Sequence, residues 1–351
     1  MVDKLWFLWP EIILFIGAVV VSVLGLARRK ALRDASPLVV IITLALAAVV
    51  TSFIYSDAEK VATSGLLMPM LGQYVKMIVA VIGIVLTMVG IGMVDRPLEA
   101  AFASGRAAFD AIRVTRGEYY AFFLLSLMGV MLCSNANDLI WLFLALELTS
   151  LPTYVMVAIA RSRRRAHEAA VKYFFLGALA AAFFLFGFAF LYGATGTIVL
   201  TELADAFALQ ATEGTIGAFA IVGVVLAILG ICFKIAAAPM HFYAADVYEG
   251  AAAPVTAFLA FVPKTTGMVA LMLVLGVIGW RTGVSETLPR EITAMLWMIA
   301  VLTMTLGNVL ALLQRSVKRI LAYSSVAHSG YMLIGLIAGP VLDGATNALM
   351  T

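Results

Sequence analysis

The chain has 351 residues, of which 64% are hydrophobic and 12% charged, with a formal net charge of +3 and a mean hydropathy of +1.07. Soluble domains carry roughly 25% charged residues, so a pair of soluble domains is excluded. The length suits a series of membrane spans of about 20 residues each, and the small net charge gives no footing for a nucleic-acid partner.

Ten apolar segments are predicted, at approximately 5–26, 36–56, 71–94, 118–134, 138–160, 167–192, 215–241, 251–279, 292–313 and 318–339. The first is of full span length with no small-residue cleavage site after it, so it reads as a retained helix. Pro10 and Glu11 suit its first turn. Asn137 and Asp138 offer a cap for the fifth. Two stretches are not spans. Residues 97–117 mix Arg106, Asp110 and Arg113 with Ala and Phe, which suits a loop or short interfacial helix. Residues 193–214 carry Glu202, Asp205 and Glu213 and no basic residue.

Loop charges set the orientation. Fifteen of the 23 Lys and Arg residues follow segments one, three, five and nine: Arg28, Arg29, Lys30 and Arg33; Arg96, Arg106, Arg113 and Arg116; Arg161, Arg163, Arg164 and Arg165; Arg315, Lys318 and Arg319. Alternation of ten spans puts them all on one side and Lys4, Lys60, Arg281 and Arg290 on the other. The positive-inside rule then predicts Arg-rich loops in the cytoplasm and both termini of this chain outside.

Four lysines fall inside spans. Lys234 precedes Pro239 in an apolar run too long for one straight span, and Gly250 and Pro254 follow. This predicts a discontinuous seventh helix, the kind of element on which transporters build ion sites. Lys264, next to Pro263, lies about 20 Å along the eighth segment. Glu147 lies about 13 Å past Asp138, near the middle of a roughly 30 Å hydrocarbon core. It is either a neutral carboxyl bonded to a neighbouring helix or a titrating carboxylate facing a wet interior. Buried ionisable groups mark an ion path by default. Lys172, near the basic face, reads equally as a snorkelling or a functional residue. Lys76, at the outer start of segment three, reads as snorkelling. His167 reads as an exposed loop residue. His241 follows the break. His328 lies about 15 Å into the last span among Ser324, Ser325 and Ser329, where a relay and a packing role stand level. Cys133 and Cys232 lie in apolar runs and read as small buried hydrophobes. No spacing suits haem, copper or an iron–sulfur cluster, and there is no nucleotide-binding loop. This chain is therefore expected to bind no cofactor and no metal.

Four stretches now carry a resemblance: NDLIWLFLALELTSLPTYVMVA, AVKYFFLGALAAAFFLFGFAFLYGATGT, FKIAAAPMHFYAADVYEGAAAPVTAFLAFVPK and LLQRSVKRILAYSSVAHSGYMLIG. Long and collinear from about Arg116 to Gly339, they resemble the proton-translocating, antiporter-like subunits of respiratory complex I, the NADH–quinone oxidoreductase. The resemblance implies an all-α polytopic antiporter-like fold of about ten transmembrane helices. Its expected divisions are three N-terminal helices (1–95), a cytoplasmic loop or interfacial helix (96–117), a five-helix repeat (118–279) and a partial second repeat (280–351). It further implies that Glu147 is the glutamate of the fifth helix, Lys172 its partner on the sixth, Lys234 the lysine of the broken seventh and Lys264 that of the eighth. His328 matches a histidine of the tenth helix. NADH, FMN, iron–sulfur clusters and quinone are implied in partner subunits of a hetero-oligomeric membrane arm, and a quinone is not expected on this chain.

Family members continue for about four more helices, including a second broken one toward the exit, whereas this sequence stops at Thr351. The second inverted repeat is thus expected to be truncated, with the rest of the path in a longer chain, a split gene product or another subunit. Two rivals remain at this point: a subunit of a multi-subunit cation/proton antiporter, and a non-transporting structural subunit whose ion pairs act as glue.

Overall fold

The computed structural model describes residues 6–56, 65–91, 94–104, 106, 108, 114–159, 164–212, 216–280 and 288–338. The expectations placed on Lys4, Lys60, Asp110, Arg113, Arg161, Arg163, Glu213 and Arg281, and on the chain's end from Gly339 to Thr351, lie outside the described residues. In chain order the helices are α1 (Trp9–Gly25), α2 (Lys30–Asp34), α3 (Ser36–Ile54), α4 (Pro69–Gly90), α5 (Arg96–Ala103), α6 (Arg116–Ser134), α7 (Leu139–Ile159), α8 (Arg164–Thr195), α9 (Leu200–Thr212), α10 (Ala218–Ile235), α11 (Ala244–Gly250), α12 (Ala253–Leu275), α13 (Arg290–Leu312) and α14 (Val317–Ala338). A π-helical turn, Gly276–Trp280, extends α12.

Among the described residues nine helices are long and apolar enough to cross a bilayer, and the shorter α1 is equally apolar. The ten predicted segments are thus ten helices. Their outward faces carry Val85, Phe175, Phe186, Val301 and Leu312, all exposed. A soluble bundle would present charge there; these faces suit hydrocarbon. Helices α1, α3, α4 and α6 pack together, α7, α8 and α10 form a second group, and α12 runs between them, touching α4, α6, α7, α10 and α14. Helices α13 and α14 pack mainly on each other.

Small residues let backbones meet, as membrane packing favours. A Cβ on Gly187 of α8 would lie 2.5 Å from the backbone nitrogen of Ala227 on α10, and one on Gly230 would lie 2.7 Å from the carbonyl oxygen of Ala180.

Four expectations change. Helix α8 reaches Thr195, so the stretch 193–214 begins inside it. That stretch then forms α9, which buries Leu200, Leu203 and Phe207 and packs on the π-helical turn. Residues 97–117 do supply a short helix, α5, but it is docked: Glu99 accepts from Arg33 Nε at 2.9 Å and Nη2 at 3.0 Å. Lys76 does not snorkel. It is fully buried, with Nζ 2.8 Å from Glu11 Oε1 and 2.6 Å from the Phe7 carbonyl oxygen. A carboxylate and a carbonyl inside the protein take the place of the headgroup region. Finally, the seventh span ends at Ile235, short of the predicted 241. Ala236 takes the left-handed conformation (φ 55°, ψ 38°) and stops α10, and Pro239 lies in the turn beyond it.

Candidate functional site

Lys234 sits in the last turn of α10, where the partial negative charge of a helix C-terminus favours a cation. Its ammonium meets one face of α7. It lies 3.2 Å from Glu147 Oε1 and 3.2 Å from the Leu146 carbonyl oxygen, and it donates to Ser150 Oγ. The Phe184 ring lies 5.7 Å from Nζ. The pair is unequal in exposure: the Lys234 side chain is 1% exposed and Glu147 17%. Pro152 follows inside α7; lacking an N–H, it leaves the carbonyl of Leu148 without its helical donor. This loosens the turn that carries Glu147.

The break exposes carbonyls that must find donors. The Ala237 amide bonds the Cys232 oxygen at 2.8 Å. The Tyr243 hydroxyl donates to the Phe233 oxygen at 2.8 Å. The Ser329 hydroxyl, from α14, donates to the Ile235 oxygen. On the far side the Ala238 amide donates to Thr303 Oγ1, from α13, at 2.9 Å. Helices α13 and α14 therefore supply two of the hydroxyls that hold the broken helix.

Lys264 is also buried. It donates to the Ser325 carbonyl oxygen and to Ser329 Oγ at 2.9 Å. Among the described residues no carboxylate forms a salt bridge with it. One serine thus touches both Lys264 and the carbonyl that follows Lys234. The pair Glu147–Lys234 and the chain Ile235 oxygen–Ser329–Lys264 meet at the Lys234–Ile235 backbone, not through a hydrogen bond of the Lys234 ammonium.

Lys172 belongs to a different cluster. Its Nζ lies 2.9 Å from Glu168 and 3.0 Å from Asp246, and its side chain is 45% exposed. It is not the partner of Glu147, which pairs with Lys234. The cause is one step of helix rotation: the neighbour of Lys172, Tyr173, is the residue turned toward α7, accepting from Thr153 Oγ1 at 3.3 Å. Tyr173 also stacks on Phe233 and Tyr243. Arg319 of α14 bonds Asp246 and Glu249 at 2.6 Å each. With Arg165, Glu168 and Lys172 these groups line a charged cavity of about 450 Å³ beside the break. The loop itself has no basic residue, as its sequence shows; its cations arrive from α8 and α14.

His241 is buried near the break, with Nδ1 unpartnered and the Phe242 ring 4.6 Å away. His328 is exposed on α14, bonded through Nδ1 to the Ser324 oxygen at 2.7 Å. It lies off the face that Ser325 and Ser329 turn to Lys264. Cys133 and Cys232 are buried free thiols. Among the described residues no three His, Cys, Asp or Glu side chains converge as a metal site. Sequence reasoning named Glu11 and Ser329 without their partners, and missed Ser150, Thr303 and the Asp246–Arg319–Glu249 cluster. The two acids of DVYEG, in a stretch already singled out, were the one available signal.

Fold and site define a polytopic helical membrane protein with a discontinuous helix flanked by buried lysines. Residues 136–351 match the family described as "NADH:quinone oxidoreductase/Mrp antiporter, TM", and the chain belongs to that family. A Mycobacterium tuberculosis relative named "NADH-quinone oxidoreductase subunit N" is 45% identical over 225 residues, 64% of this chain and 40% of the relative. The chain thus spans well under two thirds of the length of such relatives. Among solved structures, a chain of respiratory complex I from Thermus thermophilus with bound aureothin matches at 29% identity and TM-score 0.68, over 94% of this chain and 65% of that one. A chain of the Mrp complex from a Dietzia species has TM-score 0.70 at 20% identity, over 96% of this chain and 59% of that one, and shares the fold.

Proposed function

We propose that this chain is a proton-translocating membrane-arm subunit of an NADH–quinone oxidoreductase. The observation that carries the reading is the Glu147–Lys234 pair at the broken end of α10, whose next carbonyl, that of Ile235, is bonded by the serine that also holds the buried Lys264. The names of the relatives and the complex I likeness support it. Quinone reduction in partner subunits, which would hold NADH, FMN, iron–sulfur clusters and quinone, changes the electrostatics at these groups. Glu147, the more exposed partner on a proline-loosened turn, then draws away or is neutralised. Lys234 loses its counter-charge and passes its proton toward Lys264. Protons enter through the charged cavity, where Asp246, Glu168 and Lys172 can exchange them with water. The chain itself carries no redox step. It resides in a bacterial inner membrane, with both termini of this sequence on the periplasmic side.

Lys234→Ala, in a complex shown to be intact and reconstituted in vesicles, is expected to lower the proton-to-electron ratio; an unchanged ratio overturns the reading. The shared fold of the Dietzia Mrp complex favours a second reading, a cation/proton antiporter subunit. Sodium-dependent transport without NADH oxidation would select it. Unaltered pumping by Glu147→Gln would instead select a structural role.

A further inference from the structure

The Ser329 hydroxyl has one hydrogen and stands between two partners whose needs change with proton occupancy. A serine inside a helix ordinarily bonds the carbonyl four residues back, and Ser325 offers that oxygen at 3.2 Å. Ser329 instead points its hydrogen across to Ile235 of α10, while its oxygen accepts from Lys264 Nζ. The residue is fully buried. When Lys264 is an ammonium it has only hydrogens to give, so Ser329 must accept from it and its own hydrogen is free for the Ile235 oxygen. When Lys264 is a neutral amine it keeps two hydrogens and gains a lone pair, to which the same hydroxyl can donate. Turning to that lone pair leaves the buried Ile235 oxygen without its partner, which is costly. The proton on Lys264 and the hydrogen bond to the broken end of α10 are therefore linked, in both directions. Thr303 holds the other side of the turn without switching. Its hydrogen is committed to the Ile299 oxygen at 2.6 Å, so it only accepts from the Ala238 amide.

We propose that Ser329 is a positioning residue that reports the proton on Lys264 to the end of α10 that carries Lys234, with Thr303 fixing the far side of the break. This rests on the reading that protons pass between the two lysines. It is tested in the complete complex in proteoliposomes with Ser329→Ala, Ser329→Cys and Ser329→Thr, beside Lys234→Ala, and with Thr303→Val and Thr303→Ser followed by hydrogen exchange. Ser329→Ala and Ser329→Cys, which lack a strong donor, are expected to lower the proton-to-electron ratio, and Ser329→Thr to restore it. The Ala238 amide is expected to exchange about tenfold faster in Thr303→Val, the equivalent of one hydrogen bond, and at the parental rate in Thr303→Ser. A parental ratio in Ser329→Ala or Ser329→Cys, with Lys234→Ala impaired, overturns this proposal and leaves the proton reading standing. An equal loss in all three Ser329 variants also overturns it, because the hydroxyl is then not the link. Parental pumping in Lys234→Ala overturns the proton reading itself.

Discussion

Lys234 draws three acceptors from a single turn of α7, and only one of them is charged. That asymmetry fixes what each substitution does. Glu147→Gln strands an ammonium that is 1% exposed, whereas Lys234→Gln leaves a carboxylate that is 17% exposed. Removing the partner of a buried charge is the costly direction. We expect Glu147→Gln to destabilise more than Lys234→Gln, and the double variant to recover a coupling of about 2 kcal/mol, read from denaturant unfolding of the four chains in mixed micelles. Strict additivity would mean that the pair carries no energy. A lone charge in an apolar run stands out, which is why Glu147, Lys234 and Lys264 were legible in the sequence. Ser150, Thr303 and Ser329 were not, because hydroxyl residues in spans usually bond their own helix and nothing local distinguishes the three that bond across. Lys172 shows the limit of the resemblance: it implied a partner for Glu147, but the side chain turns to Glu168 and Asp246.

At the scale of elements, the break was legible from Pro239 but its position was not. Helix α10 ends at Ile235 because Ala236 adopts positive φ, at a cost of roughly 1–2 kcal/mol for a residue with a Cβ, and an alanine gives no warning of this in sequence. The hydroxyls of Thr303 and Ser329 and the Tyr243 phenol hold the backbone there. The seam between α8 and α10 places Lys234 against α7 and Phe184. At Gly187 the obstruction is backbone: the Ala227 nitrogen at 2.5 Å and the Gly223 oxygen at 2.6 Å from an added Cβ. No side chain can rotate aside to admit one. Gly187→Val is therefore expected to cost about 3 kcal/mol, the upper end of overpacking penalties, and to weaken the Lys234 site with it. Gly193→Ala on the same helix, where a Cβ meets nothing within 4 Å, is expected to leave the unfolding midpoint unchanged. Equal behaviour of the two variants would show that the seam is not the close contact described.

The whole molecule obeys a charge asymmetry that survives its own ion pairing. Arg33, Arg116 and Arg319 all pair with carboxylates on the Arg-rich side, so the net field there is smaller than the basic count suggests. Orientation nonetheless follows Lys and Arg, with Asp and Glu contributing little. Ten alternating spans then make three exposed positions diagnostic. Arg29 follows α1 and Leu313 follows α13, on the same side; Gly196 follows α8, on the opposite side. The two native cysteines are buried, so they give no background to a membrane-impermeant maleimide. In right-side-out vesicles Gly196→Cys is expected to label and Arg29→Cys and Leu313→Cys to stay dark, with the pattern reversed in inverted vesicles. Labelling of Arg29→Cys and Leu313→Cys from opposite sides would mean an odd number of crossings between them. The proposed placing of the charged cavity at a cytoplasmic mouth would then be wrong, and so would the proposed direction in which protons reach Lys234.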